Sequence, residues 1–446
     1  MKKNLFIVAA VALVAMVSCN KEEVNNAGVD TTPEPAVIVE FEAGFNADTK
    51  TALDAAGKKT LWEADDLISI NGQQFKIKEL LNDGANAVFV NVDNLPDGFG
   101  APFTAVYPYG SNGIPATQTA KANTFDPAAA IEMATSDNNT LVFENQSSLL
   151  KFQVPAACNS VTLSAKEDLA QDSNTVTISG DFVAGTNYYV AVLPGTKTNF
   201  VARIDGYLSR NAESVTIANS SIVNMNTLPA PVESSVELRG DSPLSWDNGT
   251  MFYEDIDCLV LKNVSLSATQ GFKIVNGGKW LQGAVTANKW AVLKENGDNM
   301  KLSAGSYDIY VSKTGKVITV VNAGSPAPEL IKPESDYLYL LPSDNWLEAN
   351  AHFAAWIWKD SGAGKVYNFT EHPDVKGLYQ LKLNGANKMI LFRMDPNIKV
   401  TDGSSTYPGD SQWYKSGDLS IGTNNLYTVI NWHDTGSGFS KVTTLL

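Results

Sequence analysis

The 446-residue chain is poor in the side chains that do chemistry. It has three cysteines and three histidines. The histidines, His352, His372 and His433, stand apart, and no His-x-x-x-His or Cys-x-x-Cys spacing exists to hold zinc. There is no Gly-x-Ser-x-Gly elbow and no glycine-rich phosphate loop. Carboxylate neighbours such as Asp65-Asp66 and Glu254-Asp255 read as solvated turns and strand edges, not as an acid–base pair. Asp395-Pro-Asn397 and Asp402-Gly-Ser404 supply oxygen atoms but lack EF-hand spacing, so they are a weak calcium signal. No enzyme, cofactor or metal is expected. Positive charge is scarce too: 33 basic against 48 acidic residues give a net charge of −15 and a pI near 4.7. That argues against nucleic acid, anionic membrane surfaces and strongly anionic polysaccharides, all of which need a basic face. Long apolar runs are missing as well. The thirteen residues Leu5–Val17 are too few to cross a bilayer.

What is present begins with an address. Met1-Lys-Lys-Asn4 before the apolar run has the order of a signal peptide, predicted over 1–18. The run ends Met16-Val-Ser-Cys19, which resembles a bacterial lipobox. Cleavage before Cys19 and lipidation of its thiol would anchor the chain in the outer membrane, with 19–36 as a polar tether. Asn20-Lys-Glu-Glu23 resembles the surface-export signal of Bacteroidetes lipoproteins, although a charge run is more often a solvated tail. Together these predict a lipid-anchored protein exposed at the cell surface.

From Val37 onwards short alternating runs recur between Gly, Asn and Asp clusters. Examples are Leu67–Ile70, Ala87–Val90, Leu149–Val154, Thr175–Ile178 and Tyr188–Leu193. Such spacing predicts an all-β protein of several β-sandwich domains in tandem. Phe75–Leu81 reads equally as a strand or a short helical turn. The stretches Thr49-Lys-Thr-Ala-Leu53, Lys59-Thr-Leu-Trp62 with Asp65-Asp-Leu-Ile-Ser-Ile70, Phe103–Pro108 and Tyr189–Pro194 are similar to fimbrillin-like domains. That resemblance covers about 37–229. Fimbrillins that polymerise are processed after a basic residue, usually Arg, whereas here the first arginine is Arg203 and the expected position is Lys50. The departure favours a tip, an anchor or a domain reused for display over a shaft subunit.

Pro229-Ala-Pro231 separates a third domain, 232–323. Its Phe272-Lys-Ile274 before Trp280, and Gly305-Ser-Tyr-Asp-Ile-Tyr-Val311, resemble the small sandwich domains of starch-utilisation surface lipoproteins. Thr314-Gly315 predicts a hairpin turn. Trp246, Trp280 and Trp290 read as core or contact packing ahead of a second sugar site, since no strand sets two of them side by side. Cys158 and Cys258 fall in separate domains and read as buried free thiols, with a disulfide left open. Pro326, Pro328 and Pro333 predict a semi-rigid spacer holding the last domain, 334–446, away from its neighbour.

That last domain carries the chemistry. In Ala351-His-Phe-Ala-Ala-Trp-Ile-Trp358 alternation sets Phe353, Ala355 and Ile357 on one face and His352, Ala354, Trp356 and Trp358 on the other. One face makes core. The other is a row of broad amphipathic rings, free for recognition or buried between domains. A pyranose suits it: its C–H face stacks on a ring while its hydroxyls bond at the rim. With Asp336–Trp346, Phe392-Arg-Met-Asp-Pro396, Trp413 before Gly417-Asp-Leu419, and Asn425-Leu-Tyr-Thr428, the stretch resembles starch-binding modules of the family-26 type, over about a quarter of the chain. The resemblance implies a sugar platform on the first two strands: Tyr337 or Tyr339, Trp346, Trp356 and Trp358. Trp413 is a further candidate, and Arg393, Lys365 and Gln412 are candidate hydroxyl contacts. His352 stands where such modules commonly have Arg. The expected ligand is a polysaccharide or oligosaccharide, an α-glucan first, bound without catalysis. The competing expectation is a fimbrial tip or anchor subunit, with pilus or glycan-uptake proteins as neighbours.

Overall fold

The computed structural model describes residues 39–45, 61–129, 131–326, 328–329, 334–398, 400–409, 412–421, 426–429 and 439–441. Cys19 with its leader and tether, the Lys50 motif, His433 and Trp432 lie outside the described residues. The protein is all-β, in tandem β-rich domains.

The first domain is a closed seven-stranded barrel and not a sandwich. Strand Glu40–Phe45 closes it. It pairs antiparallel with Asn86–Asn91 and parallel with Thr140–Asn145, matching Glu42 to Thr140. Alternate residues point inwards, so Phe41, Phe75, Phe89 and Phe143 fill the interior around Trp62. The Trp62 indole donates to the Ala43 carbonyl at 3.2 Å. Gln73–Leu81, readable either way in the sequence, is a strand.

The second domain packs a five-stranded sheet against a three-stranded one over an apolar core. It is not separated from the barrel by a single cut. Strand Thr117–Thr119 leaves the barrel between two of its strands and pairs with Thr175–Phe182, carrying Ile114, Phe125 and Ile131 into the second core.

The third domain contributes nine strands to one curled sheet around Phe252, Phe272, Ile274 and Ile309. Its Gly305–Ser312 and Val317–Asn322 strands form the expected hairpin, with Gly315 at φ +68° where a side chain would be strained. The last domain is a sandwich. Its five-stranded sheets enclose Leu338, Leu340, Trp346, Phe353, Ile357 and Leu391.

Domains two to four are joined by specific contacts. Arg203 forms two hydrogen bonds to Asp255, and the Tyr207 ring packs 4.3 Å from Tyr253. Between the third and fourth domains, Trp290 pairs with Val375, which adds a strand of the last domain to this sheet as its tenth. Val260, Trp290, Tyr310, Tyr339, Val375 and Leu426 form one buried cluster there. The proline segment therefore does not hold the last domain away. Apolar burial draws the two domains together, and the Trp290 indole donates to the Glu329 carbonyl within that segment. Cys158 and Cys258 are both free. Burial raises their thiols to about 11 and about 12 respectively, which makes them poor nucleophiles.

Candidate binding site

Strand His352–Trp358 lies inside a sheet, with Lys365–Asn368 on one side and Lys388–Met394 on the other. Its inward residues Phe353, Ala355 and Ile357 are in the core, as alternation predicts. The register sets Ala354 opposite Phe392, Trp356 opposite Ile390, and Trp358 opposite Lys388 on the outward face. Trp356 and Trp358 are both half-buried, two residues apart on one strand. Strand rise separates their Cα atoms by about 7 Å.

The outward face is not bare. Residues 400–407 fold across it, held by Gly403 N to Val366 O at 2.9 Å, Val366 N to Ser404 O at 3.0 Å, and Asn368 N to Asp402 Oδ1 at 2.8 Å. Asp402, read as a possible ion ligand, thus tethers this loop. Beneath it Ala354, Val366, Phe392 and Met394 form a small second core. Tyr407 comes down beside Trp356, centroids 5.4 Å apart and planes at 70°, and beside Phe392 at 5.5 Å. Its ring stays 37% exposed. Lys415 Nζ lies 5.7 Å from the same ring. On the other side a Cβ added to Gly364 would collide with the Trp356 Nε1, so the glycine leaves room for the indole. Tyr407 was missed in the sequence. It sits in a loop with no periodicity to announce it.

The remaining predicted residues are placed elsewhere. Trp346 is fully buried and stacks against Phe353 at 5.9 Å and 19°. A one-turn helix, Asp344–Leu347, capped by the Ser343 side chain, turns it into the core. It cannot stack on a ligand. Tyr339 is 2% exposed in the contact with the third domain, its hydroxyl accepting from Glu334 N at 3.2 Å. Tyr337 packs at the edge of the same cluster. Neither tyrosine belongs to the Trp356 face. Arg393 is 3% exposed, a structural residue and not a rim donor. It donates from Nε to Trp346 O at 3.0 Å and from Nη2 to Glu348 O at 2.5 Å. Burial holds this guanidinium below its ordinary range. Trp413 lies over it, ring centroid at 4.5 Å, and is 38% exposed. Lys365 is exposed at the strand next to Trp356. Gln412 pairs through its backbone with Met394. His352 is half-buried, and burial lowers its imidazole while Asp395 pulls the other way.

Among the described residues no group of His, Cys, Asp and Glu could hold a metal ion. A shallow cleft of about 610 Å³ on the barrel is lined by Glu40, Lys76, Lys78 and Val90–Asn94, with Lys78 and Glu40 already paired. It contains no aromatic side chain and no strained nucleophile. No helix among the described residues is long and apolar enough to cross a membrane.

No protein family matches the chain, and no curated protein does. Among solved structures, a Bacteroides uniformis protein described as a candidate cell adhesion protein is 14% identical. The match covers 49% of this chain and 97% of that one at a TM-score of 0.24. A fimbrial protein of Bacteroides ovatus is 9% identical over 44% of this chain and 52% of that one, at 0.22. Both scores lie under 0.5.

Proposed function

We propose that the protein is a non-catalytic surface adhesin whose last domain binds a neutral glycan across Trp356, Trp358 and Tyr407. One observation carries this reading. A half-exposed indole and an exposed phenol meet on the solvent side of a sheet whose other side is already a complete core. Rings left at the surface beside polar groups suit ligands with an apolar face and a hydroxylated rim. The surplus of carboxylates favours an uncharged ligand. The 70° between Trp356 and Tyr407 favours a chain whose successive sugars turn relative to one another, as in an α-glucan, over a flat ribbon. Lipidation of Cys19 would place this face outside the outer membrane.

A second reading, a fimbrial tip or anchor subunit, draws on the firm joints between domains two, three and four. Stacked modules transmit force, and the aromatic face would then meet a protein. The experiment is a pull-down of the full chain on insoluble starch, with soluble maltooligosaccharides and a broad glycan array in parallel. The control is the Trp356→Ala, Trp358→Ala double variant. Binding lost in the variant supports the glycan reading. A folded wild-type chain that ignores every glycan sinks it in favour of the structural one.

A further inference from the structure

We propose that Lys262 and Asp308 in the third domain condense to an intramolecular isopeptide bond, Nζ to Cγ, that ties two neighbouring strands covalently. The inference is independent of the glycan face. Strand Cys258–Leu266 pairs antiparallel with Gly305–Ser312, with Leu261 opposite Ile309 and Val264 opposite Tyr307. Lys262 and Asn263 therefore share one partner, Asp308, in a β-bulge. Leu261 and Ile309 point into the core, so Lys262, Asp308 and Tyr310 lie on the other face of the sheet.

The bulge aims these groups at one another. Lys262 Nζ donates to Asp308 Oδ2 at 3.0 Å and to the Tyr310 hydroxyl at 2.6 Å. Asn263, at φ +57°, turns its backbone N to donate to Asp308 Oδ1 at 2.9 Å, and Gly324 N donates to Oδ2 at 3.2 Å. This face is covered. The Tyr207 hydroxyl of the second domain accepts from Lys262 N at 3.1 Å, Gly206 lies against the lysine stem, and Tyr310 belongs to the buried cluster at the next joint. The Lys262 and Asp308 side chains are 18% and 2% exposed. Two charges shut away from water are costly to keep, and water is held off the carboxyl carbon.

The step balances without a co-reactant. The ammonium passes one proton to Oδ2, which leaves an amine beside a carboxylic acid. The Nζ lone pair attacks Cγ, and the displaced carbonyl pair moves onto Oδ1, where the Asn263 N–H stabilises the negative charge. The Tyr310 hydroxyl takes a second Nζ proton as it gives up its own, and that proton goes to Oδ2. Oδ2 leaves with its bonding pair as water, the Oδ1 pair re-forms the carbonyl, and one proton stays on the amide nitrogen. Burial works to lower the Lys262 ammonium, but Tyr310 and Asp308 outweigh it and hold the group above its ordinary range. The neutral pair is thus a minor form. Fixed proximity makes up for its scarcity, and removing two charges from a covered site draws the reaction forward. The product clamps two central strands of the sheet, which suits a module that carries load.

The test is mass spectrometry of the full chain under denaturing conditions, beside Lys262→Arg, Asp308→Ala and Tyr310→Phe. Lys262→Arg keeps the charge pair and lacks the nucleophilic amine. After allowance for the substitution, the wild-type chain should be lighter than Lys262→Arg by the mass of one water. Trypsin should leave wild-type Lys262 uncut and its peptide joined to the one that holds Asp308, whereas Lys262→Arg and Asp308→Ala should release the two separately. Tyr310→Phe should form the bond more slowly, with unlinked chain present after purification. The inference is overturned if the wild-type chain has lost no water, or if its Lys262 peptide is released free. A missing water that persists in Lys262→Arg lies elsewhere in the chain and overturns it too. Full linkage in Tyr310→Phe would remove the phenol from the mechanism.

Discussion

Arg203 and Asp255 face each other across the junction of the second and third domains, Nη1 to Oδ2 at 2.7 Å and Nη2 to Oδ1 at 2.8 Å. The parallel geometry matches guanidinium to carboxylate, and both side chains are largely shielded, at 26% and 10% exposure. A shielded bidentate pair fixes an angle as well as a distance. Arg203→Ala leaves Asp255 without its cation. The variant should lose about 1.5–3 kcal/mol at this junction, the range for hydrogen bonds to a charged group. Small-angle scattering should show a broader distribution of interdomain angles. An unchanged profile would mean that the tyrosine contact alone sets the joint.

Gly364 tests the Trp356 face without deleting an aromatic. An added methyl collides with the indole Nε1, so Gly364→Ala should turn Trp356 out of its place beside Tyr407. The expected outcome is glycan binding weakened by about an order of magnitude, or about 1.4 kcal/mol, with the melting temperature nearly kept. Binding equal to wild type would show that the orientation of Trp356 is irrelevant.

Glu132 is fully buried in the barrel, and among the described residues neither of its carboxyl oxygens has a hydrogen-bond partner. Burial pushes it up to about 8. Its carboxyl is therefore held protonated near neutral pH, and ionising it costs stability. The folded value lies above the ordinary 4.5 of an unfolded chain. The contribution is present in full below about 4.5 and is lost as pH rises towards 8, at up to about 1.4 kcal/mol per pH unit. Glu132→Met should flatten that slope and protect the barrel most at pH 8. Hydrogen exchange of the Glu132–Ser136 strand, followed from pH 5 to 8, reads it directly. Parallel profiles in the two proteins would refute the assignment.

Trp290 is 2% exposed in the contact with the last domain. Trp290→Ala removes a large buried ring and should cost about 3–5 kcal/mol. The last two domains should then melt in separate calorimetric transitions. One transition at the wild-type temperature would show that their contact adds nothing to stability.

The strands and their faces were legible because alternation is local. Phe353 and Ile357 point in and Trp356 points out, as their spacing requires. Barrel and sandwich give the same alternation. What separates them here is the pairing of Glu42 with Thr140, nearly a hundred residues on, which no window reveals. Trp346 looked like a platform residue, yet one helical turn decides its direction. Tyr339 alternates correctly, but its outer face is covered by a neighbouring domain. Trp246 and Trp280 seemed separate because one of them reaches the other from a loop. Local pattern told faces apart. It did not say what would come to lie on them.

His372 sits at the joint of the last two domains and accepts a hydrogen bond at Nδ1 from Asp374 N, 3.1 Å away. Its ring lies 6.0 Å from buried Tyr339. The same short segment docks the strand beside Trp290: Trp290 N donates to Asp374 O, and Lys289 Nζ to Pro373 O. Burial lowers the His372 imidazole below 6.5, against the opposing pull of Asp374 and Glu334. A folded value below the unfolded one gives a contribution that is complete above 6.5 and lost as pH falls beneath it. Protonation also takes the Nδ1 lone pair and breaks the bond to Asp374 N. The joint should therefore loosen on acidification from pH 7 to 5, seen as faster hydrogen exchange of Trp290–Val292 and Val375–Lys376. His372→Asn keeps an acceptor but no titrating group, so its exchange at these strands should be nearly independent of pH over the same range. Equal acid sensitivity in both proteins would place the switch on another residue.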